Sequence, residues 1–363
     1  MASPPTRVSS SKPKRPGGGT AGGGRAFFDR FREEVAGYAE GVHRLGDPAP
    51  APALARIEDD ELRDFLASWN GAMLFIDAYT VHAAEDCASE DGTLWFGESA
   101  LGDRLGIELG RGGRVVRLEE DTGETLVEAS SFARWLDATI VADGVLYDQE
   151  GEYLDEVFDD DGEVAPPAQV KREKRALKID ADAPAPAWRL AKAQERSGDV
   201  KGARATLEAL VASEGAKDFA WAWFDLGRLR HYGGDHEEAE AAFATAADAG
   251  AAQGSELAGW FAAHAARMAV LRRDEAARAR HAERAIALDP EVARAQRRAA
   301  AARFDEGEVD EARELAGLAG ALLPRDLEVA ELTRRIAAAS AKGAAVKGAV
   351  KGAPAKPAPR SKK

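Results

Sequence analysis

The stretch WFDLGRLRHYGGDHEEAEAAFATA, residues 223–246, decides the fold of the C-terminal half of the chain. Small residues stand at Gly227, Ala239 and Ala246, and the turn Gly234-Asp235 separates two segments rich in helix-forming residues. Antiparallel helices cross closely only where their facing side chains are small, and glycine ends a helix because it adopts the left-handed conformation without strain. The stretch therefore predicts a pair of antiparallel helices.

The same pattern recurs along residues 184–341. A glycine followed by an acidic residue marks a turn at Gly198-Asp199, Gly234-Asp235 and Gly307-Glu308. Alignment on these turns gives units that start near Pro184, Ala220, Gly259 and Ala293, with spacings of 36, 39 and 34 residues. The third unit departs from the pattern at Arg273 and Arg278. A period in this range is typical of stacked helical hairpins.

These units resemble the tetratricopeptide repeat family, most closely in the quoted second unit. The resemblance implies paired helices that stack into a superhelix with a concave, peptide-binding groove.

The repeat register also predicts which side chains line that groove, because positions 5, 9 and 12 of a unit share one face of its first helix. Unit by unit, these positions hold Trp188, Lys192, Glu195; Phe224, Arg228, His231; Ala263, Arg267, Val270; and Arg297, Ala301, Phe304. Position 2 adds Trp221 and Trp260. We predict a partner-binding set of Trp188, Lys192, Trp221, Phe224, Arg228, His231, Trp260, Arg267 and Arg297.

A cation recurs at position 9 in three successive units, at Lys192, Arg228 and Arg267. Cations beside aromatic rings suit an extended acidic peptide, since arginine makes charge-assisted hydrogen bonds to carboxylates. On this hypothesis, changing Arg228 and Arg267 to glutamate abolishes binding of an acidic partner. The alternative interpretation is that the aromatic side chains only fill gaps between helices.

Residues 26–165 show a different pattern. Helices are expected from Ala26 to about Val42, from about Glu58 to Trp69, and after Ser130-Ser131. Strand-like runs are Ala72–Tyr79, Thr93–Gly97, Arg104–Leu109, Arg114–Leu118 and Thr125–Ala129. Two similar segments, Tyr147–Tyr153 and Phe158–Val164, each place an acidic turn between apolar residues, as a hairpin does. The chain is thus predicted to be an α+β domain with an antiparallel sheet, followed by an all-α array.

Several short motifs in this half resemble the SUKH superfamily, which contains Syd-like proteins and the fungal cell-wall-assembly regulator domain. They are FLASWNGAMLF (Phe65–Phe75), Trp95-Phe96-Gly97, Leu101-Gly102-Asp103 and Ser131-Phe132-Ala133-Arg134-Trp135-Leu136. The resemblance covers residues 26–145. It implies a protein-recognition fold without catalytic residues, and its bacterial members frequently act as immunity proteins that neutralise toxins, often nucleases.

The formal charge of −14 is distributed unevenly. Residues 26–165 carry 34 Asp and Glu against 10 Arg and no Lys, whereas residues 166–341 carry 29 acidic and 27 basic residues. Such an acidic domain repels nucleic acid and attracts basic partners, so a basic protein or toxin is its expected partner. A regulatory or assembly adaptor is the alternative to an immunity protein, and acidity that serves solubility alone is a third interpretation.

The remaining segments bear on organisation and location. Residues 1–25 and 342–363 contain basic but no acidic residues and are expected to be disordered, and residues 166–183 are expected to form a linker. No apolar run approaches the roughly 20 residues of a membrane span. Cys87 is the only cysteine, which is typical of a reducing compartment. We therefore expect a cytoplasmic, non-catalytic protein without a cofactor.

Four possible chemical sites are weighed and set aside. Gly17-x-Gly19-x-x-Gly22 matches a dinucleotide fingerprint, but neither a strand precedes it nor a helix follows directly. Cys87 and His82 lack a recognisable orienting group, which leaves a hydrolase as the disfavoured third hypothesis. Asp159–Gly162 lacks the ligands of a calcium loop, and His231 with His236 lacks further metal ligands.

Overall fold

The computed structural model describes the backbone of residues 23–351 and the side chains of residues 28–341. The tails expected for residues 1–22 and 352–363 lie outside the described residues. The first part of the fold contains helices α1 (Gly23–Val35), α2 (Ala51–Leu54), α3 (Asp60–Leu66) and α4 (Phe132–Asp143). Its strands are β1 (Arg44–Leu45), β2 (Ala72–Leu74), β3 (Tyr79–Val81), β4 (Ala88–Glu90), β5 (Thr93–Ser99), β6 (Arg104–Glu108), β7 (Arg114–Leu118) and β8 (Thr125–Ala129).

The strands form one antiparallel sheet in the order β1-β2-β3-β5-β6-β7-β8, with β4 paired to β5. Phe31 on α1, Phe65 on α3 and Phe132 on α4 are completely buried and lie in one core with the inward residues of the sheet. Phe65 and Phe132 meet edge to face at 5.5 Å between ring centroids. The core therefore lies between the sheet and the helices, as an α+β fold requires.

The predicted strand Ala72–Tyr79 is wrong as a single element, because the chain turns between β2 and β3. Phe75 and Ile76 take positive φ values of 52° and 67°. The Phe75 N–H donates to Nδ1 of His43, and the Ile76 N–H donates to the Val42 carbonyl. These long-range contacts hold a turn that the local apolar pattern does not reveal. The helix expected to reach Val42 ends at Val35, and the one expected over Glu58–Trp69 spans only α3.

The two acidic segments after α4 form the expected tight turns. Antiparallel bridges join Tyr147 to Tyr153 and Phe158 to Val164. Asp148 Oδ1 accepts hydrogen bonds from the N–H groups of Glu150 and Glu152. Asp159 Oδ1 accepts them from Asp161 and Glu163 in the same way. Each turn is thus closed by its own first aspartate, a common role of this residue.

The expected linker at residues 166–183 is instead largely helical. Helix α5 (Pro166–Ile179) buries Glu173, Ala176 and Ile179. Ala176 and Ile179 pack on Ala138 and Ala142 of α4. The charged run in this segment suggested a solvated linker, but three residues spaced three apart form an inward helical face.

The array is built from four consecutive helix pairs and a terminal helix. They are α6 (Pro184–Arg196) with α7 (Val200–Val211), α8 (Ala220–Gly233) with α9 (His236–Gln253), α10 (Ala258–Arg272) with α11 (Glu275–Leu288), α12 (Val292–Glu306) with α13 (Val309–Leu322), and α14 (Leu327–Lys351). The α+β domain followed by an all-helical array is the fold class that the sequence predicted, and it is confirmed.

The turns within the pairs share one backbone geometry. Gly198, Gly234 and Gly307 have φ values between 84° and 90°. In the third unit Arg273 takes the same left-handed conformation, with φ of 62°. The third unit therefore has arginine where the other units have glycine, but its turn keeps the same backbone conformation. A non-glycine residue in this conformation costs free energy that the packed hairpin must offset.

The fourth pair stacks differently from the first three. It packs on α10 and α11 chiefly through α13, its second helix. Leu318, Ala321 and Leu322 of α13 join the core that the second and third pairs form.

Residues 342–351, expected to be disordered, continue α14, since no proline interrupts them before Pro354. Within residues 23–351, no helix combines the length and apolarity needed to cross a membrane.

Close helix crossing can be tested at Gly227. A β-carbon at this position would lie 2.9 Å from the ring of Phe243, which is itself buried. We expect Gly227→Ala to lower the free energy of unfolding by about 1–3 kcal/mol through overpacking, despite the higher helix propensity of alanine. Urea denaturation measures the change.

The matched control is Gly320→Ala in α13, where the added β-carbon would lie 3.7 Å from the nearest side-chain atom, Cγ1 of Val329. Its stability should stay level or rise. Equal stabilities of the two variants would contradict the close crossing.

Candidate interaction surfaces

A row of aromatic side chains runs across the first helices of three units. Ring centroids of Trp188 and Trp221 lie 6.3 Å apart, and those of Trp221 and Trp260 lie 6.4 Å apart. The three tryptophans are partly exposed. Phe224 stands behind them, 4.5 Å from the ring of Trp260, and is buried. The row offers a continuous apolar surface that one extended chain could follow.

Not all predicted groove residues reach this surface. Phe224 and Ala263 are buried in the core of the array, so position 5 of the second and third units contributes to packing. Val270, Ala301 and Phe304 are only partly buried and pack at the edges of apolar clusters.

The four predicted groove cations differ in their partners. Arg228 donates to both carboxylate oxygens of Glu195, at 2.7 and 2.5 Å, and pairs with Asp225 at 3.2 Å. Arg297 pairs with Glu328 of α14. Lys192 is exposed, and its ammonium lies 4.5 Å from the centroid of the Trp188 ring. Arg228 and Arg297 are therefore neutralised within the array, whereas Lys192 has a ring contact but no ion pair among the residues that the structure describes.

Arg267 is the exception among the arginines of this surface. It is partly buried, and within the described part of the chain it has neither a hydrogen bond nor an ion pair. Burial lowers the pKa of its guanidinium, and the more distant carboxylate of Glu314 only partly offsets this. A cation desolvated without a matching anion is costly, and such groups cluster at functional sites.

Gly317 of α13 makes room for this guanidinium. A β-carbon on Gly317 would lie 2.8 Å from Cζ of Arg267. The position of Arg267 between α10 and α13 therefore depends on the unusual stacking of the fourth pair. A carboxylate that approached there would gain a desolvated, charge-assisted hydrogen bond.

His231 lies at the edge of the same region, with Nδ1 3.3 Å from Nδ1 of His236. Its pKa is lowered by burial first, and then by the charges of His236 and Arg267. His231 is thus a neutral side chain near neutral pH. Among the described residues no group of three or more His, Cys, Asp or Glu is arranged to hold a metal ion.

A second feature, absent from the sequence analysis, is a charged network buried between the sheet and the array. Arg189 of α6 donates to both oxygens of Glu128 on β8, at 2.8 and 2.9 Å, and to Glu173 on α5 at 3.1 Å. Arg172 of α5 pairs with Asp143 at the end of α4 and with Glu173. The side chain of Glu173 is only 1% exposed. This network therefore joins three layers of the molecule.

A β-bulge supplies the acid at its centre. Val116 pairs with Val127, whereas Val115 pairs with Ala129, so Glu128 has no partner residue on β7. A bulge re-aims the side chain of the extra residue. Glu128 lies 3.0 Å from Nε of Arg117 on β7 and meets Arg189 of the array at the same time. The sequence placed Glu128 within a strand but gave no sign that its carboxylate would meet Arg189. For α5, the only signal in the sequence was the three-residue spacing of Glu173, Ala176 and Ile179, which is typical of one helical face.

Of the possible chemical sites weighed from the sequence, Gly17-x-Gly19-x-x-Gly22 lies outside the described residues, whereas Cys87 and Asp159 both have partners within the fold. Cys87 is buried, and burial raises the pKa of its thiol to about 12, with the charges of Asp86 and Glu85 adding to the effect. Its Sγ donates to the Ala83 carbonyl at 3.5 Å. A thiol held protonated is a poor nucleophile. The carboxylate of Asp159 closes its own turn and pairs with Arg196 at 2.7 Å.

Comparison with known proteins gives likenesses in structure only. No family model and no curated protein matches the sequence. Similar solved structures include YrrB, a tetratricopeptide-repeat (TPR) protein with an unusual peptide-binding site, at 16% identity over 46% of this chain and 82% of that one, with a TM-score of 0.30. MamA matches at 18% identity over 44% and 84%, with a TM-score of 0.31. PilF of Pseudomonas aeruginosa matches at 18% over 52% and 86%, with a TM-score of 0.33.

The network between sheet and array predicts a particular acid response. Burial alone would raise the pKa of Glu128, but the charges of Arg189 and Arg117 outweigh it and lower the pKa to about 2. Its stabilising contribution is therefore complete above the unfolded-state pKa of about 4.3 and is lost as the pH falls toward 2. We expect this loss to be roughly 3 kcal/mol in urea denaturation between pH 5 and pH 2.

Glu128→Gln isolates the effect. The variant should lose about 3 kcal/mol at neutral pH, since Arg189 and Arg117 lose the carboxylate that they share. Arg189 keeps Glu173, and Arg117 keeps Asp103 and Glu119. The stability of the variant should also fall less steeply in acid. Glu331→Gln, which removes an exposed pair with Arg334, is the control. An acid profile of Glu128→Gln parallel to that of the wild type would contradict this role.

Proposed function

We propose that this chain is a non-catalytic interaction protein whose helical array binds an extended acidic segment of a partner. The proposal is carried by one observation: Arg267 is partly buried and has no carboxylate partner within the described part of the chain, and it lies on the same helix as Trp260, the last of a row of partly exposed tryptophans. The rings of Trp188, Trp221 and Trp260 supply apolar contact, and Lys192 and Arg267 supply charge at the first and third units. Aromatic residues and arginine are the side chains that most often dominate binding energy at interfaces.

The pairing of the other cations refines the position of the binding surface. Arg228 already holds Glu195 and Asp225, so an incoming carboxylate would have to displace two internal acids. Lys192 and Arg267 need no such exchange among the described residues. The acidic segment is therefore assigned to these two cations, with the tryptophan row between them.

The N-terminal domain supports a second partner of opposite charge. Its 34 acidic residues against 10 arginines favour a basic protein by long-range attraction. A chain that binds two partners of opposite charge would act as a regulatory or assembly adaptor. An immunity protein that neutralises a basic toxin is the narrower form of this proposal, and it rests on the SUKH-like motifs Phe65–Phe75 and Ser131–Leu136. Protection of cells against a toxin encoded beside this chain would distinguish the narrower form.

The groove can be tested with a nine-residue peptide of alternating glutamate and valine. The double variant Lys192→Met/Arg267→Met should weaken its binding at least about tenfold, as expected for the loss of charged hydrogen bonds worth more than about 1.4 kcal/mol. Isothermal titration calorimetry measures the dissociation constant. Reversal of Arg228 would be less informative, because a glutamate there would face Glu195 and Asp225 and disturb the fold.

Two further variants make the binding test specific. Arg334→Met removes an exposed arginine of α14 and should leave the affinity unchanged. Gly317→Ala keeps every charge but presses a β-carbon against the Arg267 guanidinium, so it should weaken binding as well. An affinity that is equal in the wild type and the double variant would remove the groove proposal.

Stability provides an independent prediction. Arg267→Met replaces a desolvated, unpaired cation by an apolar side chain of similar length, so the melting temperature should rise by a few degrees while acidic-peptide binding falls. Differential scanning calorimetry measures the shift in melting temperature. Arg297→Met is the comparison variant: it removes an arginine that has an ion pair with Glu328, so it should lower the melting temperature. A drop for Arg267→Met would show that this residue serves the fold.

A further inference from the structure

The two acidic turns after α4 carry an aromatic stack that runs from the core to the surface. The ring centroids of Phe75 and Tyr147 are 4.6 Å apart, and those of Tyr147 and Tyr153 are also 4.6 Å apart. Both pairs are stacked. Phe158 meets Tyr153 edge to face at 4.8 Å. The inner rings are buried, whereas Tyr153 is 53% and Phe158 39% exposed. Large exposed apolar side chains in contact mark interaction surfaces more often than isolated ones do.

This ring face, defined as Tyr153 and Phe158, is held in a fixed position. The hydroxyl groups of Tyr147 and Tyr153 lie 3.0 Å apart. Arg196 of α6 binds the second turn through Asp159 and the Val164 carbonyl. On the other side, the Ala39 N–H donates to the Gln149 carbonyl at 2.7 Å. A rigid face loses little conformational entropy when a partner binds it.

The charge of the same turns identifies the occupant. Asp148 and Asp159 are used internally, but seven other carboxylates of these turns are exposed and have no ion pair among the described residues: Glu150, Glu152, Asp155, Glu156, Asp160, Asp161 and Glu163. Residues 147–164 contain no basic residue. Ammonium and guanidinium groups bind both to the faces of aromatic rings and to carboxylates. The surface thus complements cations carried on an extended chain.

We propose that the ring face is the docking site for an extended, lysine- or arginine-rich segment of a partner protein. This inference rests on the proposed basic partner of the N-terminal domain and assigns that partner to Tyr153 and Phe158. It is independent of the groove in the array, which takes the opposite charge. The cations of the segment lie over the rings of Tyr153 and Phe158, and the surrounding carboxylates neutralise the remaining charge.

The test uses the full chain and a nine-residue peptide of alternating lysine and glycine, with its lysine-acetylated form as the uncharged probe. The wild type should bind the charged peptide and not the acetylated one, and binding should weaken as salt rises from roughly 0.05 M to 0.3 M. Tyr153→Leu and Phe158→Leu, which keep apolar bulk but remove the ring, should each weaken binding about two- to fivefold.

Matched variants separate recognition from folding. Tyr153→Phe keeps the ring without the hydroxyl and should bind as the wild type does. Tyr232→Leu removes another exposed tyrosine, located on α8 and 62% exposed, and should also leave binding unchanged. If the leucine variants at 153 and 158 bind as tightly as the wild type, the domain attracts cations by charge alone and the ring-face proposal fails. If the wild type does not bind the peptide, the proposed basic partner fails with it.

The basic residues of the chain's own N-terminal segment are the competing occupant. Replacement of Arg7, Lys12, Lys14 and Arg15 by glutamine in the full chain should change the affinity less than twofold. A gain of more than about tenfold would show that this segment covers the ring face and would overturn its assignment to a partner protein.

Discussion

The arrangement of the whole molecule depends on Arg172 and Arg189, whose side chains are largely removed from water between the sheet and the helical array. Neither guanidinium can be taken out of water without carboxylates in matching positions. Asp143, Glu173 and Glu128 supply them from α4, α5 and β8. Since each acid comes from a different element, the pairing fixes the relative positions of all of them. The sheet and the array are thus joined by specific polar contacts, and α5 is part of this joint.

A consequence of this joint is that the two proposed binding surfaces keep a fixed relation. Arg196 lies about two turns beyond Arg189 on the same face of α6 and secures the second acidic turn. Trp188 and Lys192 of the same helix lie at the tryptophan row. One helix thereby positions elements of both surfaces. Partners bound at the ring face and at the groove would be held at a defined distance, which is what an adaptor requires.

The molecule treats its charges in two distinct ways. Arg228, Arg189 and Arg172 are surrounded by acids, so their charges serve the fold. Arg267 and the seven carboxylates of the acidic turns have no such partners among the described residues. Groups of the second kind reduce stability or contribute nothing to it, and a sequence retains them most readily where they contact something outside the chain. The distinction cannot be made by counting charges, because both kinds have the same composition.

Local pattern was sufficient for the elements of the array. Glycine and small residues at fixed offsets predicted the start of every first helix within a residue or so, because helix ends and close crossings depend on neighbours a few positions away. The antiparallel sheet followed for the same reason from alternating apolar runs and turn residues. Tertiary structure alone decided the turn at Phe75-Ile76, the bulge at Glu128 and the partners of each groove cation. Those features depend on contacts between residues far apart in the chain, such as Arg189 with Glu128, and no periodicity within either segment records which distant side chain will neutralise a buried charge.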